Sequence, residues 1–141
     1  MNSELFMDIT CSIILSIREK WVDKIAKGEK TIEVRKTIPK SYDKPFRCYI
    51  YSSGRVKKVV GEFICDELID YWPGYAGQEG NSCLTFAQEL EYLGDNGHGY
   101  GLHISDLIMY DEPMELKEFY NPNTKEFIKK APQSWCYCVL F

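Results

Sequence analysis

Three charged residues of alternating sign stand close together in the first third of the chain: Lys30, Glu33 and Arg35. Arg presents a planar fork of N–H donors that fits a phosphate or a base edge, and Lys supplies a compact point charge. A Glu between them accepts a hydrogen bond from an exocyclic amine or holds the Arg in place. The combination suits recognition of a nucleotide. The alternative is an internal salt-bridge network on a solvated strand face, since such ion pairs are common and stabilise little.

The element that carries these residues is predicted to be a strand. Residues 31–35 alternate in polarity, with Ile32 and Val34 on one side and Glu33 and Arg35 on the other. Because successive side chains of a strand point to opposite faces, the two charged residues share one face. We therefore expect an amphipathic strand with a functional polar face.

A strand and a helix are predicted before this motif. The apolar run Ile13–Ile17 indicates a short buried strand. From Arg18 to Lys27 apolar residues recur at helical spacing with charges between them, which predicts a helix of about ten residues. Gly28 follows at the position of a left-handed C-cap, so the helix is expected to end there.

Four further strands, a helix and a helical turn are predicted after the motif. The strands are at 46–51, 59–68, 100–110 and 135–141, the helix is at 84–93 with Ser82 as its cap, and the turn is at 115–120. Gly61 indicates a bulge or a close backbone approach within its strand. Most connections are too short for βαβ crossovers. We expect an α+β fold: a small, mostly antiparallel β-barrel of about five to six strands with two or three short helices.

Charge is distributed unevenly along the 141 residues. The whole chain carries -4, but residues 18–58 hold thirteen bases against five acids, and residues 59–141 hold four bases against fourteen acids. The negative net charge of the whole chain therefore does not exclude a polyanionic partner, although a chance cluster of solvated lysines gives the same pattern. We expect any such ligand to bind weakly, on one face, and to be short, because the acidic remainder would repel a long nucleic acid.

Several classes of protein and site are disfavoured by the sequence. Six cysteines without C-x-x-C spacing, four of them in apolar runs, predict reduced core thiols. The longest apolar run, Cys11–Ile17, is far shorter than the roughly 20 residues of a membrane-spanning helix. No signal-peptide pattern precedes it, so we expect a cytoplasmic location. His98 and His103 have no cysteine or acid at metal spacing, so we expect no metal site and no cofactor.

Residues 28–35, Gly-Glu-Lys-Thr-Ile-Glu-Val-Arg, resemble the signature G-x-K-x-x-E-x-R of the ASCH (activating signal cointegrator homology) family in the PUA-like superfamily. The resemblance extends over about residues 13–141 and includes the segments 14–17, 49–53, 59–63, 100–104 and 132–137. The chain is similar to small bacterial and phage-associated members. The resemblance implies a PUA-like barrel with a cleft beside the first helix, and residues 1–12 as an extension to a single domain.

The resemblance also implies a ligand, RNA or a nucleotide, and a role in RNA metabolism or transcription. The expected ligand-binding residues are Lys30, Glu33, Arg35, Ser53, Lys57, Ser134 and Trp135. Ser53 and Lys57 would contact phosphate from a loop, unless that loop is an ordinary polar turn. Trp135, Tyr51 or Tyr137 would stack on a base, although aromatic residues in strands more often belong to the core.

Two alternatives remain open. The chain resembles the acetylcytidine amidohydrolases, which use a Lys, a Thr three residues later and a distant Glu. Lys30 matches the Lys of that pattern, but Glu33 stands at the position of the Thr. Thr31 is only one residue away from Lys30. In an enzyme of this kind, or in a ribonuclease, Lys30 and Glu33 would be the catalytic acid–base pair. The other alternative is a protein-interaction module that uses the acidic C-terminal half.

Overall fold

The structure, a computed structural model, describes residues 12–39, 45–75, 80–94 and 97–140. Residues 1–11 of the expected extension, Cys11 among them, and Phe141 at the end of the predicted strand 135–141 lie outside these residues. The described strands are β1 (Ser12–Arg18), β2 (Ile32–Arg35), β3 (Phe46–Ser53), β4 (Lys58–Tyr71), β5 (Gly99–Met114), β6 (Phe119–Asn121), β7 (Glu126–Phe127) and β8 (Trp135–Leu140). The helices are α1 (Glu19–Ala26) and α2 (Phe86–Leu93), and a 3₁₀ turn spans Leu116–Glu118.

All eight described strands belong to one sheet with the order β2-β5-β4-β3-β1-β8-β6-β7. β1 and β3 pair in parallel, and the remaining pairs are antiparallel. The fold is mixed α+β, as expected. The expected β-barrel is not closed and has more than the five to six strands expected, because β2 and β7 are the two ends of an open sheet and the two short strands β6 and β7 extend it.

A side chain, not a backbone ladder, joins β2 to β1. The guanidinium of Arg35, on β2, donates from Nη2 to the carbonyl oxygen of Ser16, on β1, at 2.8 Å. It also donates from Nη1 to the carbonyl oxygen of Ser134, at 3.0 Å, just before β8. β2 therefore approaches β1 and the start of β8 at this point, and a space remains between them.

Three clusters of buried apolar residues hold the elements together. The largest lies between α1 and the sheet and includes Ile13, Leu15, Ile17, Val22, Ile25, Phe46, Ile50 and Phe63. The second includes Ile14, Tyr49, Val59 and Phe119. The third packs Ile32 and Val34 of β2 against Ile69 and Tyr71 of β4. Burial of each large apolar side chain stabilises the fold by about 1.5–3 kcal/mol. The third cluster therefore fixes one face of β2, and Glu33 and Arg35 lie on the opposite face.

The predicted end of the first helix is confirmed. Gly28 has a φ of +78°, and its N–H donates to the carbonyl of Ile25 at 3.0 Å. The N–H of Glu29 donates to the carbonyl of Lys24 at 3.0 Å, which completes a Schellman motif. This turn redirects the chain into β2 and places Lys30 at the start of the strand.

Gly61 makes the close approach that its position predicts. A Cβ atom there would lie 2.7 Å from the carbonyl oxygen of Ile108 and 2.9 Å from Sδ of Met109. The register of the β4–β5 pair also shifts between Val59 and Gly61. The glycine therefore lets β5 cross close to a bulged β4.

Ser82 is not the cap of α2. Thr85 caps the helix: its Oγ1 accepts from the N–H of Gln88 at 3.1 Å, and the Gln88 side chain accepts from the N–H of Thr85 at 2.8 Å. This reciprocal capping box satisfies two N–H groups, which the more distant Ser82 cannot do. The hydroxyl of Ser82 is bonded to Tyr71 instead.

Five of the six cysteines lie within the described residues, and all five are free thiols. Cys48, Cys65 and Cys138 are fully buried, in agreement with the expected core thiols, whereas Cys83 and Cys136 are only half-buried. Burial raises the pKa of Cys136 to about 11 and that of Cys138 further, which keeps both in the thiol form at neutral pH.

Candidate functional site

A cavity of about 880 Å³ opens where β2 approaches β1 and β8. Its walls come from the end of β1, the exposed side of α1, the polar face of β2, one face of α2 and residues 131–134 before β8. Its volume lies within the range of small-molecule and cofactor sites. Lys30, Glu33 and Arg35 form part of the lining.

Glu33 lies at the centre of a buried ion network. Its Oε1 lies 3.3 Å from Nζ of Lys30, and its Oε2 accepts from Nε and Nη2 of Arg35 at 2.9 and 2.7 Å. Between 2 and 6% of each residue is exposed. One carboxylate thus pairs with two cations, and the network keeps a net positive charge at the cavity wall.

Arg35 directs its donors to the protein itself. Besides the two bonds to Glu33, it donates to the carbonyl of Ser16 and to both the carbonyl and the hydroxyl of Ser134. These five hydrogen bonds equal the number of N–H donors of a guanidinium. In this structure Arg35 therefore acts as a strut between β2, β1 and β8.

Lys30 is held from two directions. Its Nζ donates to the carbonyl of Ser82 at 2.6 Å, in addition to its contact with Glu33. It also lies 5.2 Å from the centre of the Trp21 ring, a favourable cation–π distance. An ammonium has three N–H donors, so these contacts fix its position while leaving it one donor.

Further cations stand at the mouth of the cavity. Arg18, Lys20 and Lys36 are exposed and belong to its lining. Lys20 lies over the ring of Trp21 at 4.7 Å, and Lys36 over the ring of Tyr92 at 5.0 Å. With Lys30 and Arg35 these make five cationic side chains, against two carboxylates in the lining. The cavity therefore carries an excess of three positive charges in a chain whose net charge is -4.

No protein-family model matches this sequence, and no curated protein matches it. Solved structures do. An ASCH protein from Zymomonas mobilis superimposes with a TM-score of 0.73 at 20% identity, covering 91% of this chain and 87% of that one. A Ser-to-Ala mutant of it gives 0.73 at 19% identity, over 92% and 89%, and a Tyr-to-Phe mutant gives 0.72 at 20%, over 89% and 88%. This chain has the ASCH fold.

The ASCH fold brings together five of the seven residues expected to bind a ligand. Besides the ion network, Ser53 and Ser134 line the cavity. Lys57 does not; it occupies the β3–β4 turn, exposed and with a φ of +53°. Trp135 does not line it either, but its Nε1 donates to Thr37 Oγ1 at the rim, at 3.0 Å.

The aromatic residues that line the cavity of this ASCH fold are not the ones expected from the sequence. Tyr51 is buried in the second apolar cluster, and Tyr137 packs against Trp135 with ring centres 5.1 Å apart. The aromatic side chains that line the cavity are Trp21 and Tyr92. Sequence reasoning missed Trp21 because it belongs to the apolar stripe of a helix, and it missed Tyr92 because only contacts between distant segments bring α2 to the cavity. The available signal was a lysine directly before Trp21.

Neither a metal centre nor a membrane-spanning helix is found in the parts of the ASCH fold described here. The two histidines pair with carboxylates on the β4–β5 ribbon, His103 with Asp66 at 2.7 Å and His98 with Asp70 at 3.3 Å. Burial opposes ionisation of Asp66, but its hydrogen bonds, of which that to His103 is the strongest, together lower the pKa of the carboxyl. Both histidines lie outside the cavity lining.

Proposed function

We propose that this ASCH-fold protein binds a short single-stranded RNA, or a nucleotide-like ligand, in the cavity beside Lys30. The observation that carries the proposal is the excess of three positive charges around a cavity that also exposes two aromatic side chains. Single-stranded nucleic acids are bound by cationic grooves that track phosphates and by aromatic side chains on which bases stack. The free thiols suit the reducing cytoplasm, where a role in RNA metabolism or transcription would be exercised.

The contacts proposed for the ligand differ from residue to residue. Phosphate would meet Lys20, Lys36 and the remaining donor of Lys30, because Arg35 uses its donors within the fold. A base would stack on the outer face of Trp21 and displace the exposed Lys20 ammonium towards a phosphate. Glu33 and Arg35 would shape the wall, and the hydroxyls of Ser53 and Ser134 would supply polar contacts.

Equilibrium binding of a short fluorescent single-stranded RNA, measured by anisotropy over a range of salt concentrations, tests the proposal. The double variant Lys20→Ala with Lys36→Ala should weaken binding. It should also reduce the slope of log K against log salt concentration by about 0.7 for each phosphate that is no longer neutralised. Lys117→Ala, an exposed lysine on the 3₁₀ turn, is the matched control. Lys57→Ala shows whether the site extends to the β3–β4 turn. Equal salt slopes in the double variant and the wild type would contradict the proposal.

A second candidate function, a hydrolase acting on RNA or a modified nucleoside, is favoured by one observation. Lys30 and Glu33 lie 3.3 Å apart in the cavity wall, within reach of a proton exchange. The hydroxyl of Thr31 accepts from the N–H of Asn81 and is not part of the cavity lining. A nucleophilic hydroxyl would therefore have to come from the lining, as from Ser134.

Incubation with acetylated cytidine and, separately, with single-stranded RNA tests this candidate. Product formation that disappears in Lys30→Ala would support it. Absence of product, or the same turnover in Lys30→Ala, would contradict a hydrolase that uses Lys30.

A further inference from the structure

A chain of hydrogen bonds between buried polar groups lies behind the wall of the cavity. The carboxylate of Glu89, on α2, accepts from the hydroxyl of Tyr71 at 2.5 Å and from the N–H of Gly74 at 3.1 Å. The Tyr71 hydroxyl is also 2.9 Å from the hydroxyl of Ser82. The carbonyl of Ser82 then accepts from Nζ of Lys30 at 2.6 Å. At most 6% of Glu89, Tyr71, Ser82 or Lys30 is exposed.

The hydrogen bonds of this chain run in one direction. A phenol has a single O–H donor, and that of Tyr71 is directed to Glu89. The Ser82 hydroxyl must therefore donate to Tyr71, while it accepts from the N–H of Leu84 at 3.2 Å. Burial, followed by the bond to Glu89, raises the pKa of Tyr71 to about 12, so the phenol keeps its proton at neutral pH. Each hydroxyl thus has a defined orientation.

The turn that contains Ser82 is fixed from its other side. The carbonyl of Asn81 accepts from the N–H groups of Thr31 and Ile32 at 2.8 and 3.2 Å. The Asn81 side chain accepts from the N–H of Cys83 at 2.8 Å. Cys83 has a φ of +64°, a conformation that costs a non-glycine residue about 1–2 kcal/mol. The fold tolerates this strain in a turn whose carbonyl is aimed at Lys30.

We infer that Glu89 is a positioning residue which, through Tyr71 and Ser82, holds the Lys30 ammonium in the orientation that meets the ligand. This inference rests on the proposed function. A lysine side chain loses considerable rotamer entropy when it is held in one place, and a site that has already ordered it binds a phosphate more tightly. Glu33 sets one direction of the ammonium, and the chain from Glu89 sets the other.

A double-mutant cycle tests the coupling. Tyr71→Phe should weaken binding of the short fluorescent RNA about tenfold, the effect of losing a hydrogen bond that orders a charged group. In a Lys30→Met background the same substitution should have no further effect, because the residue it positions is gone. The matched control is Tyr110→Phe, which removes a Tyr-to-Glu62 hydrogen bond of 2.7 Å outside the cavity lining and should leave binding unchanged. Additive losses in the cycle would overturn the inference.

A readout without RNA separates this inference from the proposed function. The ¹⁵N-edited NMR signal of the Lys30 ammonium, assigned by its loss in Lys30→Met, should shift in Tyr71→Phe and stay in place in Tyr110→Phe. An unchanged signal in Tyr71→Phe would overturn the inference even if RNA binds. A shifted signal without any RNA binding would uphold the positioning of Lys30 and refute the proposed function. Should Tyr71→Phe unfold the protein, Ser82→Ala breaks the same chain with a smaller change of volume and is read in the same way.

Discussion

At the residue scale, the motif contains two residues with different roles. Lys30 and Arg35 have the same charge and similar burial, yet the Lys30 ammonium has one hydrogen bond and one ion pair while Arg35 makes five hydrogen bonds within the protein. The spacing of the motif predicts that these residues meet, since it places them at the start and along one face of a strand. It does not predict the partners Ser16, Ser82 and Ser134, because these come from distant parts of the chain.

Arg35→Lys should lower the free energy of unfolding by about 3 kcal/mol, because an ammonium cannot replace a five-donor fork that bridges three segments. Urea denaturation followed by circular dichroism measures this. Arg55→Lys is the matched control: Arg55 also pairs with a glutamate, Glu19, but its side chain is 88% exposed, so no measurable loss of stability is expected. Wild-type stability of Arg35→Lys together with weaker RNA binding would instead make Arg35 a ligand contact.

The pKa of Tyr71 gives a prediction for alkaline stability. This pKa is raised to about 12, above that of an unfolded tyrosine near 10, so the stabilisation is complete below pH of about 10 and is lost as the pH rises towards 12. The free energy of unfolding should therefore fall more steeply over this interval in the wild type than in Tyr71→Phe, by at most about 1.4 kcal/mol per pH unit. Parallel curves in urea denaturation at several pH values would refute the prediction.

At the element scale, the sequence predicted most of what positions the motif. The helix before it, its glycine C-cap and the alternating strand are local patterns, and all three are present. The strands β6 and β7 were missed because three and two residues carry no readable periodicity. Thr85 was missed as the cap of α2, although the Gln three residues later was its signal.

Two glycines allow the element-scale interpretation to be tested. Gly61→Ala should destabilise the protein by about 2 kcal/mol or more, because its methyl group would collide with the backbone of β5. Gly28→Ala meets no atom within 4 Å and should cost only about 1 kcal/mol, the strain of its positive φ. Thermal denaturation of both variants compares them. Equal losses of stability would mean that close packing at Gly61 does not constrain the β4–β5 crossing.

At the scale of the whole molecule, part of the basic segment of the sequence gathers around the cavity. The cavity gathers five of the thirteen bases of residues 18–58. The sequence predicted a basic face and, through its resemblance, the ASCH fold. It could not predict that the sheet stays open, nor that α2 contributes Tyr92 to the cavity, because both depend on contacts between distant segments.

The acidic remainder of the chain gives a prediction for ligand length. Affinity for single-stranded RNA should rise with length only until the cavity is filled and should then level off, because further phosphates would meet carboxylates. Anisotropy titrations with a series of RNA lengths at fixed salt measure this. A steady gain in affinity with each added nucleotide would point to a longer binding groove.

The most direct test of the central claim uses the three tryptophans, whose indole N–H signals are separate NMR reporters. Trp21 lines the cavity, Trp135 supports its rim through Thr37, and Trp72 is half exposed away from the lining. On titration with a short single-stranded RNA, the Trp21 signal should shift most, that of Trp135 less, and that of Trp72 not at all. A shift at Trp72 without one at Trp21, or no shift at any of the three, would contradict nucleotide binding in this cavity.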